Sequence, residues 1–117
     1  MATFSKRILS GSTSGRGILI AATATAGTAV HTAVSGSSDI DEVYLYAVNS
    51  STSDVKLTIE FGGATSPNDL MEYTVPAENG LHLIVPGLPM NGGLAIAAFA
   101  GTTNVIVVFG WVNRITA

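Results

Sequence analysis

The sequence has no cysteine, little charge and no long uninterrupted apolar run. Without cysteine the chain can form neither disulfides nor thiolate metal sites, so redox chemistry gives no indication of its compartment. Only 11% of its 117 residues are charged, well below the roughly 25% of ordinary globular proteins. Five basic and eight acidic residues leave a formal net charge of −3. Because no basic region exists to neutralise phosphates, we expect no nucleic-acid partner.

The few charges are unevenly distributed along the chain. No formal charge lies between Arg16 and Asp39, or between Glu78 and Arg114. Membrane insertion would need about 20 consecutive apolar residues, but threonines interrupt the first stretch and prolines, glycines and asparagines interrupt the second. The apolar run near the N-terminus is also too short for the core of a signal peptide. We therefore expect no membrane association and no secretion signal, and we expect burial of the uncharged stretches in a core or against neighbouring subunits.

Alternating apolar and polar residues are the dominant pattern. Residues 55–61 alternate in this way, which predicts a strand with one buried face and one face in water. Residues 42–47 alternate similarly, and the turn-forming residues 49–54 between the two segments predict an antiparallel hairpin. Residues 105–111 are apolar on both faces and rich in β-branched side chains, which predicts a central strand.

Eight or nine short strands without an amphipathic helix predict an all-β fold. We expect one antiparallel β-sandwich domain of the jelly-roll type over residues 17–117, preceded by a flexible arm at residues 1–16 that is rich in serine, threonine and glycine. Shorter or weaker patterns predict the remaining strands at residues 4–9, 17–22, 27–34, 70–75, 81–85 and 94–100.

Few residues suggest a metal or proton-transfer site. Asp39, Asp41 and Glu42 could contribute to a calcium site, since hard cations take several carboxylate and carbonyl oxygens. Their spacing matches no known calcium loop, so we favour the solvated start of a strand. His31 and His82 have no acidic or histidine partner nearby in the sequence. We expect solvent-facing or hydrogen-bonded histidines rather than metal ligands or a pH switch.

The motifs that carry catalysis are also missing. No serine has the strand–turn–helix setting of a nucleophile elbow. The glycine-rich residues 13–17 lack the lysine and the following helix of a phosphate-binding loop. Asn49 begins a glycosylation sequon, which without secretion indicates only a polar turn. We therefore expect no enzymatic activity, no cofactor and no small-molecule substrate.

The aromatic residues suggest packing surfaces. Tyr44 and Tyr46 share one face of a predicted strand, where aromatic rows can stack on sugars, cover the sandwich or contact a neighbouring subunit. We favour packing, and we interpret Trp111 as a core or interface anchor. A chain this small fills only one modest core. Strands that are apolar on both faces then leave surplus apolar surface, which is typical of an oligomer interface.

Several turn-and-strand motifs resemble small virion structural proteins of tailed bacteriophages. The similarity covers roughly residues 40–117 and is weaker in the N-terminal third. It is carried by VYLYAVN at 43–49, VKLTIEFGG at 55–63, TVPA at 74–77, VPG at 85–87, GGL at 92–94, AFAG at 98–101 and FGWVNRI at 109–115.

The resemblance implies a structural role without reactive residues. Such proteins are commonly head-decoration (cement) proteins that bind the major capsid protein in the assembled lattice, often as homotrimers at local threefold positions. The chain would then be made in the host cytoplasm and reside on the capsid surface of the virion, with the N-terminal arm reaching onto a capsid neighbour. A receptor- or glycan-binding domain of a phage tail or fibre is the alternative. The candidate contact residues are Phe4, Lys6, Arg7, Arg16, Tyr44, Tyr46, Trp111 and Arg114.

Overall fold

Nine β-strands form in the computed structural model, which describes residues 2–117. Residue 1, the first of the predicted arm, lies outside the described residues. No helix within residues 2–117 is long and apolar enough to cross a membrane. The strands are β1 (Thr3–Ile8), β2 (Ile18–Leu19), β3 (Thr28–Thr32), β4 (Ile40–Asn49), β5 (Val55–Phe61), β6 (Leu70–Val75), β7 (His82–Met90), β8 (Ala95–Ala100) and β9 (Ile106–Thr116).

The strands form two antiparallel sheets that pack as a sandwich. Sheet A has the order β1-β9-β4-β7, with β2 also beside β9, and sheet B has the order β3-β8-β5-β6. β1 pairs with residues 111–116 and β2 with residues 107–108, so the two short strands share one position next to β9. Each sheet then has four strand positions, and the chain crosses repeatedly between the sheets, as in a jelly roll. This arrangement confirms the predicted antiparallel sandwich.

Strand alternation builds the core between the sheets. Along β4, Val43, Leu45 and Ala47 are buried while the residues between them are partly exposed. Leu57 and Ile59 of β5 are buried in the same apolar cluster. Because successive side chains of a strand point to opposite faces, each sheet contributes one apolar face to the core.

The predicted hairpin between residues 42–47 and 55–61 is wrong. β4 pairs with β7 and β9, whereas β5 pairs with β6 and β8. The turn between β4 and β5 therefore crosses from sheet A to sheet B. An alternating pattern shows which side chains are buried, but it is the same whether two consecutive strands pair in one sheet or belong to opposite sheets.

The expected water-exposed face of β5 is also wrong at two positions. Thr58 and Glu60 are buried. The connection between β2 and β3 covers this side of β5, and the Glu60 carboxylate accepts hydrogen bonds from the Thr25 hydroxyl and the Gly27 amide, both at 2.8 Å. The polar residues Thr58 and Glu60 are thus buried because a loop packs over the outer side of sheet B.

The predicted arm contains a strand of sheet A. β1 pairs with β9 along its whole length, from Thr3 opposite Thr116 to Ile8 opposite Trp111. Leu9 follows β1 and is only 1% exposed, within the hydrophobic core. Deleting residues 1–16 would therefore remove part of the core together with the edge strand, so the predicted division into a flexible arm and a separate sandwich at residues 17–117 does not fit the structure.

Candidate interaction surface

The side of sheet A that points away from sheet B is rich in apolar side chains, and we call it the outer face. Directly opposed residues of antiparallel strands point to the same side of a sheet, so the register identifies its members. Trp111 lies opposite both Ile8 and Tyr44. Phe4 and Ile8, on β1, are 65% and 54% exposed. Several large apolar side chains exposed on one face are typical of an interaction site. Its most exposed large apolar side chains are Phe4, Ile8, Leu19, Leu83 and Phe109.

An aromatic stack lies at the centre of the outer face. The rings of Tyr44 and Trp111 are nearly parallel, at 9°, with centroids 4.4 Å apart. The Lys6 ammonium lies 4.4 Å from the centroid of the Trp111 ring. Because β1 and β4 flank β9 on opposite sides, Lys6 and Tyr44 cover opposite faces of the indole. Gly87 packs against Tyr44 so closely that a Cβ there would lie 2.9 Å from the ring.

A groove borders the outer face beside β2. It has a volume of about 370 Å³ and is lined in part by Arg16, Gly17, Leu19 and Phe109. The Phe109 ring covers Gly17, where a Cβ would lie 2.7 Å from the ring. Arg16 thus lies at the rim of the apolar surface, next to its β1–β2 edge.

Most of the sequence-predicted contact residues lie on or beside the outer face. Phe4, Lys6, Tyr44, Tyr46 and Trp111 all point to it, although they come from three different strands. The two arginines of β1 and β9 do not join them, as their register puts them on the other side of the sheet.

The first of these two, Arg7, is exposed, and its Nε donates a hydrogen bond to the Ser5 hydroxyl at 3.2 Å. The second, Arg114, turns inward. Its Nε and Nη2 donate to the two oxygens of Asp41 at 2.7 and 3.0 Å. Arg114 therefore serves an internal ion pair rather than a surface contact in this structure.

A buried polar network surrounds Asp41, which is 0% exposed. Its Oδ2 accepts further hydrogen bonds from His31 Nε2 at 2.9 Å and from the Val34 amide at 3.1 Å. The expected solvated start of a strand is therefore wrong for Asp41. A signal for this was present in the sequence, because Asp41 is in phase with Val43 and Leu45 on the buried side of β4.

His31 links this network to the N-terminal segment. The Ser10 amide lies 3.0 Å from its Nδ1. A backbone N–H can only donate, so Nδ1 accepts and Nε2 carries the hydrogen that is donated to Asp41. The Ser10 hydroxyl also accepts a hydrogen bond from the Thr32 amide at 2.7 Å. His31 is thus a hydrogen-bonded histidine, one of the two environments predicted for it, and it does not face solvent. Its acidic partner, Asp41, is ten residues away in the chain.

The other carboxylates of the Asp39–Glu42 segment have separate partners. Asp39 accepts from the Ala117 amide at 3.0 Å, and Glu42 accepts from Asn113 Nδ2 at 2.8 Å. Within residues 2–117, no three His, Asp or Glu side chains are grouped so that they could hold a metal ion. The second histidine, His82, lies 3.5 Å from the Tyr73 hydroxyl through its Nδ1. These contacts stabilise the fold.

The Asp41 network predicts a specific loss of stability in acid. Burial raises the pKa of Asp41, but the hydrogen bonds from Arg114 and His31 and the charge of Arg114 outweigh it, so the pKa lies below its usual value. A carboxyl group of this kind stabilises the fold above its unfolded-state pKa of about 3.9 and loses that contribution as the pH falls through the folded-state pKa. We expect the wild-type free energy of unfolding to fall below about pH 4, and to fall less steeply in Asp41→Asn.

Urea unfolding from neutral to acidic pH measures this slope. Asp39→Asn is the matched control, because the Asp39 carboxylate accepts a single, exposed hydrogen bond, from the Ala117 amide. Equal slopes for wild type and Asp41→Asn would contradict the prediction.

No family model, no curated protein and no solved structure matches this chain. Its function must therefore be inferred from its own surface and from the motifs of its sequence.

Proposed function

We propose that this protein is a non-enzymatic structural protein of a phage virion, a capsid decoration (cement) protein that stabilises the head by bridging capsid subunits. The observation that carries the proposal is the outer face of sheet A, where four strands expose large apolar side chains around a central aromatic stack. Burial of such a face against another protein provides binding energy without any reactive group.

The fold and the motifs support this role. Jelly rolls occur in viral capsid and lectin domains, although a fold alone does not determine a function. The turn-and-strand motifs that resemble phage decoration proteins favour the capsid. Repeated binding to many equivalent lattice sites also lets modest contacts act together through effective concentration.

The proposal includes a homotrimer that binds the major capsid protein on the virion surface. Light scattering after size exclusion tests the trimer directly, since a stable trimer has three times the 11.9 kDa mass of the chain. A monomer in solution would mean that the trimer forms only on the capsid.

The geometry of the aromatic stack argues against the glycan-binding alternative. A sugar ring stacks on an open aromatic face. Tyr44 and Lys6 cover the two faces of Trp111, and Gly87 packs closely against the Tyr44 ring. Neither face of the indole is therefore free for a sugar ring, which favours packing against a protein surface over sugar binding.

Co-sedimentation with expanded capsids of the phage that encodes the chain tests the proposal. The double variant Leu19→Ser/Leu83→Ser removes two exposed apolar side chains from opposite edges of the outer face. We expect it to weaken capsid binding about tenfold or more, while wild-type protein raises the melting temperature of the capsids.

The matched control is Leu81→Ser/Leu94→Ser. These two leucines are similarly exposed, but they lie outside the strands of sheet A. Equal capsid binding by both double variants, or no binding by the wild type, would overturn the proposal.

A further inference from the structure

The two sheets end in four edges, and these differ in how well they are protected. β7 carries Pro86 and Pro89 and two register irregularities, and β3 has a register shift between Ala29 and His31. Prolines and bulges are the usual devices that block pairing with another strand. β1 and β6 have regular registers and no proline. Only these two edges therefore offer an uninterrupted backbone for pairing.

The backbone of β1 is open on its outer side. Within residues 2–117, it forms hydrogen bonds with β9 alone. Phe4, Lys6 and Ile8 point to the outer face, so a strand added beside β1 would also extend the apolar surface. Each new pair of strands gains main-chain hydrogen bonds and contacts between opposed side chains.

Charge distinguishes β1 from β6. Lys6, Arg7 and Arg16 lie on or next to the β1 edge, and residues 2–38 contain no acidic residue at all. Among the described residues, none of these three cations forms a salt bridge. β6 instead carries Glu72, which is paired with Lys56 at 3.1 Å. Three of the five basic residues of a net acidic protein are thus concentrated at one open edge.

We propose that the β1 edge binds an extended acidic segment of a partner protein, which adds to sheet A as a further strand. This inference rests on the proposed function for the identity of the partner, which would be the capsid protein. A second copy of the chain fits less well, because the cations of two β1 strands would face each other. The positive edge thus selects against self-pairing and favours a segment of opposite charge.

A synthetic peptide tests the site on the isolated, full-length protein. The probe is a peptide of alternating valine and glutamate, compared with one of alternating valine and lysine. Trp111 is the only tryptophan and lies beside Lys6, so its fluorescence reports occupancy. We expect the acidic peptide to bind and to protect from hydrogen exchange those amides of residues 3–8 that do not already donate to β9. Equal binding of both peptides, or protection at β6 instead, would overturn the proposal.

Reversing the charge of Arg7 tests whether the acidic peptide binds specifically at the β1 edge. We expect Arg7→Glu to weaken binding of the acidic peptide about tenfold. Lys56→Glu makes the same change in charge on β5 and should leave binding within about twofold. Arg7 is exposed and its side chain donates one exposed hydrogen bond, to the Ser5 hydroxyl, so its replacement should not unfold the protein. Equal effects of both variants would show a general charge effect and overturn the site.

The capsid assay separates this inference from the proposed function. If wild type and Arg7→Glu bind capsids equally, strand addition at β1 is wrong while the decoration role stands. If the acidic peptide binds at β1 but wild-type protein does not bind capsids, the strand site stands and the capsid role is wrong.

Discussion

Replacement of Asp41 by alanine is expected to lower the free energy of unfolding by about 3–5 kcal/mol. The carboxylate is fully buried and accepts four hydrogen bonds, two from Arg114, one from His31 and one from the Val34 amide. Its removal leaves the guanidinium partly buried without its hydrogen-bonded carboxylate and the imidazole N–H without an acceptor. Since small domains are stable by only about 5–15 kcal/mol, this single change could unfold a large part of the population at room temperature.

Urea denaturation of the purified variants measures the effect. Asp39→Ala is the control, because that carboxylate makes one exposed hydrogen bond and should contribute no more than about 1 kcal/mol. The double variant Asp41→Ala/Arg114→Met should recover part of the loss, because it also removes the uncompensated charge. A cost for Asp41→Ala no larger than that for Asp39→Ala would contradict the prediction.

Asn49→Asp is expected to destabilise the fold by a similar amount, about 3–5 kcal/mol. Asn49 is buried at the end of β4, where the chain leaves sheet A for sheet B. Its Nδ2 donates to the carbonyl oxygens of Ser53 and Val75 at 2.8 and 2.9 Å. A carboxylate oxygen in that position would face two carbonyl oxygens and would have to be protonated or exposed. The crossing between the sheets would then lose its anchor.

Thermal and urea unfolding of Asn49→Asp and Asn79→Asp give a matched comparison. Asn79 is exposed in the loop between β6 and β7, so its replacement adds the same charge without burying it. We expect Asn79→Asp to change stability by less than about 0.5 kcal/mol. Equal midpoints for the two variants would show that the side chain of Asn49 does not anchor the crossing.

The period-two alternation predicted the elements of this fold well. It predicted a strand over residues 42–47 with its apolar side chains in the core, and Tyr44 and Tyr46 on the opposite face, as the structure has them. It could not predict that β4 and β5 belong to different sheets. Alternation is a property of each strand alone, whereas pairing depends on which strands the topology brings side by side.

The candidate surface shows the same division between local pattern and topology. Lys6, Tyr44 and Trp111 are distant in the chain and come together because β1, β9 and β4 are neighbours in sheet A. The sequence alone could suggest that each aromatic residue packs against something, but it could not show that their faces cover one another.

The Asp41–Arg114 pair could not be predicted from local sequence patterns. Its members are 73 positions apart, and the cluster of three acidic residues suggested a solvated segment instead. The local pattern of apolar and polar residues thus determines which segments form strands and which of their side chains are buried, because successive side chains of a strand point to opposite faces. Only the tertiary fold decides which buried charge meets its partner and which apolar face is left open, because both depend on the order of strands in the sheet.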